Sequence, residues 1–151
     1  VHELGEKDVD PTPAQLARMR ALVRSAMNEG AMGVGSSLIY APATYAETPE
    51  LIALTSEAAE CGGMYISHMR SEANKLLESV DELIEISRKS GAPAEIYHFK
   101  QSGRENWNKI DAAGLEPAVE APAPAVAPRS ACRPPTSTAS SRRAWSRRVA
   151  S

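Results

Sequence analysis

The sequence predicts an α/β fold with parallel strands, on three observations. Three short apolar segments, GVGSSLIY, GGMYISHMR and APAEIYHFK, end in polar residues: Tyr40, His68, and His98 with Lys100. Two helical patterns, over residues 49–60 and 74–90, lie between them. The steps from Tyr40 to His68 and from His68 to His98 are 28 and 30 residues, the length of one strand–helix–return unit. The three polar ends therefore fall at equivalent places on neighbouring strands. Carboxyl ends of successive parallel strands are where α/β barrels and open α/β sheets place their chemistry.

Each element has its own local warrant. Thr12-Pro13 sets an N-cap before a proline suited to the first helical position. Leu16, Met19, Leu22, Val23, Ala26 and Met27 follow at helical spacing, and Gly30 supplies the stop. Residues 31–39 are small and glycine-rich and read as a buried strand, the glycines allowing close backbone packing. Residues 41–47 form a loop with Pro42, and Thr48-Pro49 repeats the cap-plus-proline signal. Leu51, Leu54 and Ala58 line the next helix up to Gly62-Gly63.

Residues 64–69 give the second strand and 70–73 a polar loop. Leu76, Leu77, Val80, Leu83, Ile84 and Ser87 trace a helix that Gly91 closes, and Pro93 precedes a third strand over 94–99. A loop carrying Trp107 occupies 101–109, and 110–112 could open another helix. Alternation of strands and helices with short connections argues for a parallel sheet.

Totals set the outer limits. At 151 residues, 42% hydrophobic and 24% charged, the chain is the size of one soluble globular domain. A net charge of −2 gives no general reason to expect a nucleic-acid partner, and no apolar run is long enough to span a bilayer. The chain opens on Val1 without a signal-peptide pattern, so it is expected to start inside a longer reading frame, with the cytoplasm as default compartment. Cys61 and Cys132 do not make a disulfide framework.

Composition breaks near Ala113. Residues 1–112 hold 11 Lys+Arg against 17 Asp+Glu, whereas 113–151 hold six Arg, two Glu and six of the 11 prolines. A low-complexity Ala/Pro/Arg/Ser tail of this kind cannot bury enough apolar surface to offset chain entropy, so disorder is expected. GC-rich coding DNA read out of frame gives the same composition. The tail's RRAWSRR has no patterned fold beneath it to present a nucleic-acid surface.

Alternation along a strand puts His68 on the side of Ile66 and Met64, and His98 on the side of Ile96 and Lys100. Two histidines at adjacent strand ends can converge on one metal ion, and zinc suits imidazole with a position left for water. The same spacing also fits two buried structural histidines. Lys100 suits a carboxylate-binding role or a solvated one, and Tyr40 either donates to a carbonyl or packs as an ordinary aromatic. Arg70 and Glu72 read as a mutual ion pair or as solvated, and Glu78, Asp81, Glu82 and Glu85 as a solvated helix face. Cys61 reads as a small buried residue at a helix end, and His2 as exposed.

Taken in series, GAMGVGSSLIYAPATYAETPELIAL, GGMYISHMRSE, LLESVDELIEI, PAEIYHFK and SGRENWNKIDAA resemble the N-acyl-D-amino-acid deacylases (D-aminoacylases) of the amidohydrolase superfamily, over about residues 12–112. The resemblance implies a zinc-dependent hydrolase on a (β/α)₈ barrel, of which residues 1–112 cover about strands four to six. It implies that His68 and His98 are zinc ligands, that Lys100 contacts the substrate carboxylate, and that Tyr40 lies near the scissile carbonyl and helps hold the oxyanion. The implied substrates are small N-acyl-D-amino acids, hydrolysed to a carboxylate and a free D-amino acid; a cyclic-amide hydrolase of the same superfamily is the nearest alternative. The family's early His-x-His pair, bridging Cys and late Asp have no counterpart here. A full barrel takes about 250 residues, so the isolated chain is expected to be inactive and poorly folded, or a non-catalytic truncated product.

Overall fold

The computed structural model describes residues 3–109. The expectations for the 113–151 tail, for a helix at 110–112, and for His2 and Cys132 lie outside the described residues. The order of elements is α1 (Pro13–Asn28), β1 (Gly33–Ser37), α2 (Thr48–Ala59), β2 (Met64–His68), α3 (Leu76–Ser90) and β3 (Ala94–Ile96), with 3₁₀ turns at Ala43–Tyr45 and Arg104–Asn106.

The capping signals act as read at α1. Gln15 N donates to Thr12 Oγ1 at 3.3 Å while Thr12 N donates to Gln15 Oε1 at 2.9 Å, a reciprocal box that satisfies two orphan amides. Thr48 does something else. It is already helical, Glu47 takes the cap position, and the Thr48 hydroxyl donates to Glu82 Oε1 at 2.8 Å. A tertiary acceptor has taken the side chain that local pattern assigned to the helix end. α3 closes on Gly91 at φ 75°, a left-handed conformation that favours glycine.

The three strands pair in parallel in the order β1-β2-β3, with Val34, Tyr65 and Ala94 in one row and Gly35, Ile66 and Glu95 in the next. Gly33 faces Met64 so closely that a Cβ there would meet the Met64 carbonyl oxygen at 1.9 Å, so only glycine fits. The helices cover one face of the sheet. On that face Tyr65 and Ser67 are buried, and Val34, Ala94 and Ile96 pack against a core of Leu38, Leu51, Tyr65, Met69, Leu76, Val80, Leu83 and Ile86. Fully buried Leu76 and Ile86 each contribute about 1.5–3 kcal/mol by leaving water. Ser36 Oγ lies 2.6 Å from Tyr65 Oη and 3.0 Å from Ser67 Oγ, so the hydroxyls on the covered face satisfy one another.

The opposite face carries Gly35, Ser37, Ile66, His68 and Glu95 and is open among the described residues. β1 is therefore not the buried strand expected from its apolar run, because only one of its faces meets helices. β3 is also shorter than expected. It stops at Ile96, which packs into the core, and His98 does not follow Ile96 to that side.

α1 is tied to α2 by charge. Only Met27 of its residues is buried, and Leu22 remains exposed. Glu57 on α2, 5% exposed, receives Arg20 Nε at 2.7 Å and Arg24 Nε at 2.8 Å, and Arg24 also reaches Glu60. Burial alone would push the Glu57 carboxyl up, but the Arg24 and Arg20 hydrogen bonds outweigh it and hold the group below the usual carboxylate range. A depressed folded value means the stabilisation is fully present above the unfolded value and is lost as pH falls through the folded one. Glu57→Gln should therefore cost about 1–2 kcal/mol near neutrality. That is less than the ~3–5 typical of a fully buried pair, since both arginines are over a third exposed. Thermal denaturation at a series of pH values checks this: the variant should lose less stability than the parent below about pH 4.5, and equal acid sensitivity would refute it.

Candidate functional site

Parallel pairing brings the polar strand ends together. Ser37 lies opposite His68 at the ends of β1 and β2, and Tyr40 follows in the turn after β1, its amide donating to Ser37 O at 3.1 Å. The Tyr40 ring meets His68 edge-on at 5.2 Å between centroids. His98, two residues past β3, places its ring 4.2 Å from that of His68 at 82°. The chain leaves the ladder after Ile96, which lets this imidazole reach the end of β2. Tyr40, His68 and His98 thus form one cluster, although not from the equivalent strand positions expected: Ser37 is level with His68, Tyr40 lies three residues past β1 and His98 two past β3.

The residue that sequence reasoning passed over is Glu72. It is 7% exposed, and its Oε1 lies 2.9 Å from His98 Nδ1 and 3.7 Å from His68 Nδ1. Oε2 lies 3.8 Å from the Nζ of Lys100, whose side chain is 56% exposed. The 2.9 Å approach lacks hydrogen-bond geometry, so Glu72 Oε1, His68 Nδ1 and His98 Nδ1 are all buried without a hydrogen bond. The only sequence signal was an acidic residue four positions after a strand-end histidine.

Glu72 neither pairs with Arg70 nor is solvated, the two alternatives expected of it. Arg70 turns to α3, donating from Nε and Nη2 to Glu82 at 2.9 Å each, and from Nη1 and Nη2 to the carbonyls of Thr44 and Ala46 at 2.7 Å each. Glu82 is thereby taken out of the solvated face assigned to it. One guanidinium ties the loop after β1, the loop after β2 and helix α3 together, a planar fork being suited to several acceptors at once.

The Glu72 segment is held from the other side as well. Ser102 N donates to Glu72 O at 2.7 Å, and buried Asn106 donates to Ser102 O at 2.6 Å and to Asn74 Oδ1 at 3.3 Å. Cys61 is half-buried at the end of α2 without a free thiol, and it belongs to a different part of the molecule.

Glu72, His68 and His98 each offer a ligand atom within 4.8 Å of the others. Two imidazoles and one carboxylate, buried without hydrogen-bond partners, fit a divalent cation, and imidazole with carboxylate is a donor set zinc accepts. Beside His68 on the open sheet face lies a depression of about 400 Å³ lined by Gly35, Ser36, Ser37, Ile66, His68 and Tyr97.

No family model matches the chain. Comparison with known proteins nonetheless finds clear relatives. It is 34% identical to a D-aminoacylase of Alcaligenes xylosoxydans xylosoxydans over 65% of this chain and 20% of that protein. Among solved structures, an N-acyl-D-glutamate deacylase from Bordetella bronchiseptica, complexed with zinc and a phosphonate inhibitor, is 30% identical and superposes with a TM-score of 0.71, over 74% of this chain and 23% of that one. A D-aminoacylase described as defining a novel subset of amidohydrolases is 28% identical with a TM-score of 0.69, over 76% and 26%. The chain thus spans about a fifth of the length of the curated relatives it matches.

Arg70 gives the site's frame a direct test. Arg70→Lys keeps the charge but cannot serve Glu82 and two carbonyls together, so it should cost about 1–2 kcal/mol in chemical denaturation, discounted because the side chain is 31% exposed. Hydrogen exchange should rise over residues 43–46 before it rises in α2. Unchanged exchange there would show that the loop is held by something else.

Proposed function

We propose that this chain, a homologue of the N-acyl-D-amino-acid deacylases, carries the metal face of a zinc-dependent hydrolase. The reaction is cleavage of the amide bond of an N-acyl-D-amino acid to a carboxylate and a free D-amino acid. The observation that carries the reading is the convergence of His68 and His98 at adjacent strand ends, with buried ring nitrogens that no hydrogen bond satisfies. In this reading the three strand–helix units are about strands four to six of a (β/α)₈ barrel. The open sheet face then turns to the barrel interior, and residues 113–151 are a separate segment.

His68 and His98 hold the metal. When bound, zinc supplies Lewis acidity and lowers the pKa of a coordinated water to about 7. The side chains around it handle the substrate. Tyr40, with its ring against His68 and 61% exposed, offers a phenol hydrogen to the developing oxyanion of the acyl carbonyl. Lys100, after β3 and beside Glu72, supplies a point charge for the amino-acid carboxylate. Its contact to Glu72 Oε2 is long, at 3.8 Å, and its side chain is largely in solvent, so it can exchange that partner for a substrate. The depression beside His68 has a volume in the range of small-molecule sites and takes the rest of the substrate.

Exchange of residues 12–112 for the matching segment of a full-length D-aminoacylase tests the assignment. The chimera should release free D-amino acid from N-acetyl-D-amino acids, and His98→Ala in the exchanged segment should reduce that by more than about 100-fold. A folded chimera without activity, or with activity indifferent to His98, would sink the reading. The isolated 151-residue chain, with an open sheet face, should bind zinc without turnover. Chelator-sensitive hydrolysis by that chain would overturn this second expectation.

A further inference from the structure

We infer that Asn106 is a positioning residue for the substrate: it fixes the loop that carries Lys100 and so sets where the substrate carboxylate is held. The inference rests on the carboxylate-binding role given to Lys100 above and extends it to a residue that touches no substrate.

Lys100 stands on a short stretch of chain with an anchor on each side. Phe99 before it packs against the core. Ser102 after it donates its amide to Glu72 O at 2.7 Å. The ammonium faces the same residue, with Nζ 3.8 Å from Glu72 Oε2. A lysine side chain is long and loses much freedom when ordered, so the place of its charge depends on a steady backbone beneath it. The second anchor is a single hydrogen bond from an exposed residue, which needs support.

Asn106 gives that support. Its Nδ2 donates to Ser102 O at 2.6 Å and to Asn74 Oδ1 at 3.3 Å, which uses both of its hydrogens. Its backbone amide donates to Gly103 O at 3.0 Å and closes the 3₁₀ turn over Arg104–Asn106. One side chain thus joins the loop after β3 to the loop after β2. Lys109 Nζ adds a parallel tie to Asn74 O at 2.8 Å.

Packing alone does not account for an amide at this position. Asn106 is 0% exposed, yet its Oδ1 has no partner. An unmet buried acceptor is destabilising, and an apolar side chain of similar shape would avoid it. The turn buries little else, since residues 102–105 are exposed and Trp107 is 61% exposed. What the position retains is the pair of donors, and both act on the backbone and side chain that frame Lys100.

The test uses the full chain, with a chelator present so that no metal competes for the carboxylate. Affinities for N-acetyl-D-leucine and for its carboxamide, which lacks the negative charge, are measured from amide shifts in NMR titrations. The parent should bind the acid at least about tenfold more tightly, the low end for a charge-assisted contact. Lys100→Met should abolish that preference. Asn106→Leu should reduce it to less than about threefold while the affinity for the carboxamide stays unchanged, and the double variant should match Lys100→Met alone. A loss shared by both ligands, an undiminished preference or an additive double variant overturns the inference. Circular dichroism checks that Asn106→Leu is folded. If it is not, Asn74→Ala decides, since it removes only an exposed acceptor of Asn106. That variant should lower the preference by about twofold, and an unchanged preference counts against Asn106. If the parent shows no preference, or Lys100→Met retains it, the carboxylate role of Lys100 fails and takes the inference with it. The hydrolase reading itself is then decided by the chimera.

Discussion

Parallel pairing of three strands is the constraint from which the site follows. A parallel ladder runs every strand the same way, so every carboxyl end emerges at one edge of the sheet. Here that edge collects the turn with Tyr40, the end of β2 with His68, and the segment after β3 with His98 and Lys100. Residues roughly thirty positions apart in sequence become neighbours without any local motif to join them. The helices enforce the arrangement by covering one face only, which leaves strand-end side chains free to turn toward the other.

Charge is distributed around this edge in two tiers. Arg70, Glu82 and the carbonyls of Thr44 and Ala46 form a closed set in which every strong donor has an acceptor. The inner tier of Glu72 and the two histidines is not closed. Three acceptor-capable atoms face one another, and Lys100, 3.8 Å from Glu72 Oε2 and largely exposed, stays outside. Buried polar atoms without partners are uncommon in a protein interior, and here they are grouped at one strand edge. The satisfied outer tier holds the loops steady, and the unsatisfied inner one has chemical capacity.

Much of this was legible in the sequence. Capping at Thr12, the helix stop at Gly91 and the order of elements follow from local chemistry, which the chain states openly. The adjacency of His68 and His98 followed from unit length. What was not legible depended on which way a side chain turns once the strands are packed. Arg70 and Glu72 are two residues apart and of opposite charge, so a pair was the natural reading. Tertiary acceptors on α3 and the first loop claimed Arg70 instead, and Glu72 was left to the histidines. The early end of β3 at Ile96 belongs to the same class, because nothing in YHFK marks where ladder pairing gives way.

Gly33 gives the sheet a property that reaches well beyond its own position. With the Met64 carbonyl where a Cβ would sit, the spacing of β1 and β2 is fixed by a missing atom at the end of the ladder remote from the histidines. Any side chain there would wedge the strands apart, and a rigid ladder passes that splay to Ser37 and His68 four residues on. Gly35 is different, since an added Cβ would meet only the Ile66 Cγ2 methyl at 3.5 Å, an ordinary van der Waals contact. Two glycines two residues apart thus have unequal mutational freedom: Gly35 can drift toward alanine, whereas Gly33 is a gauge block that sets a tolerance elsewhere in the machine.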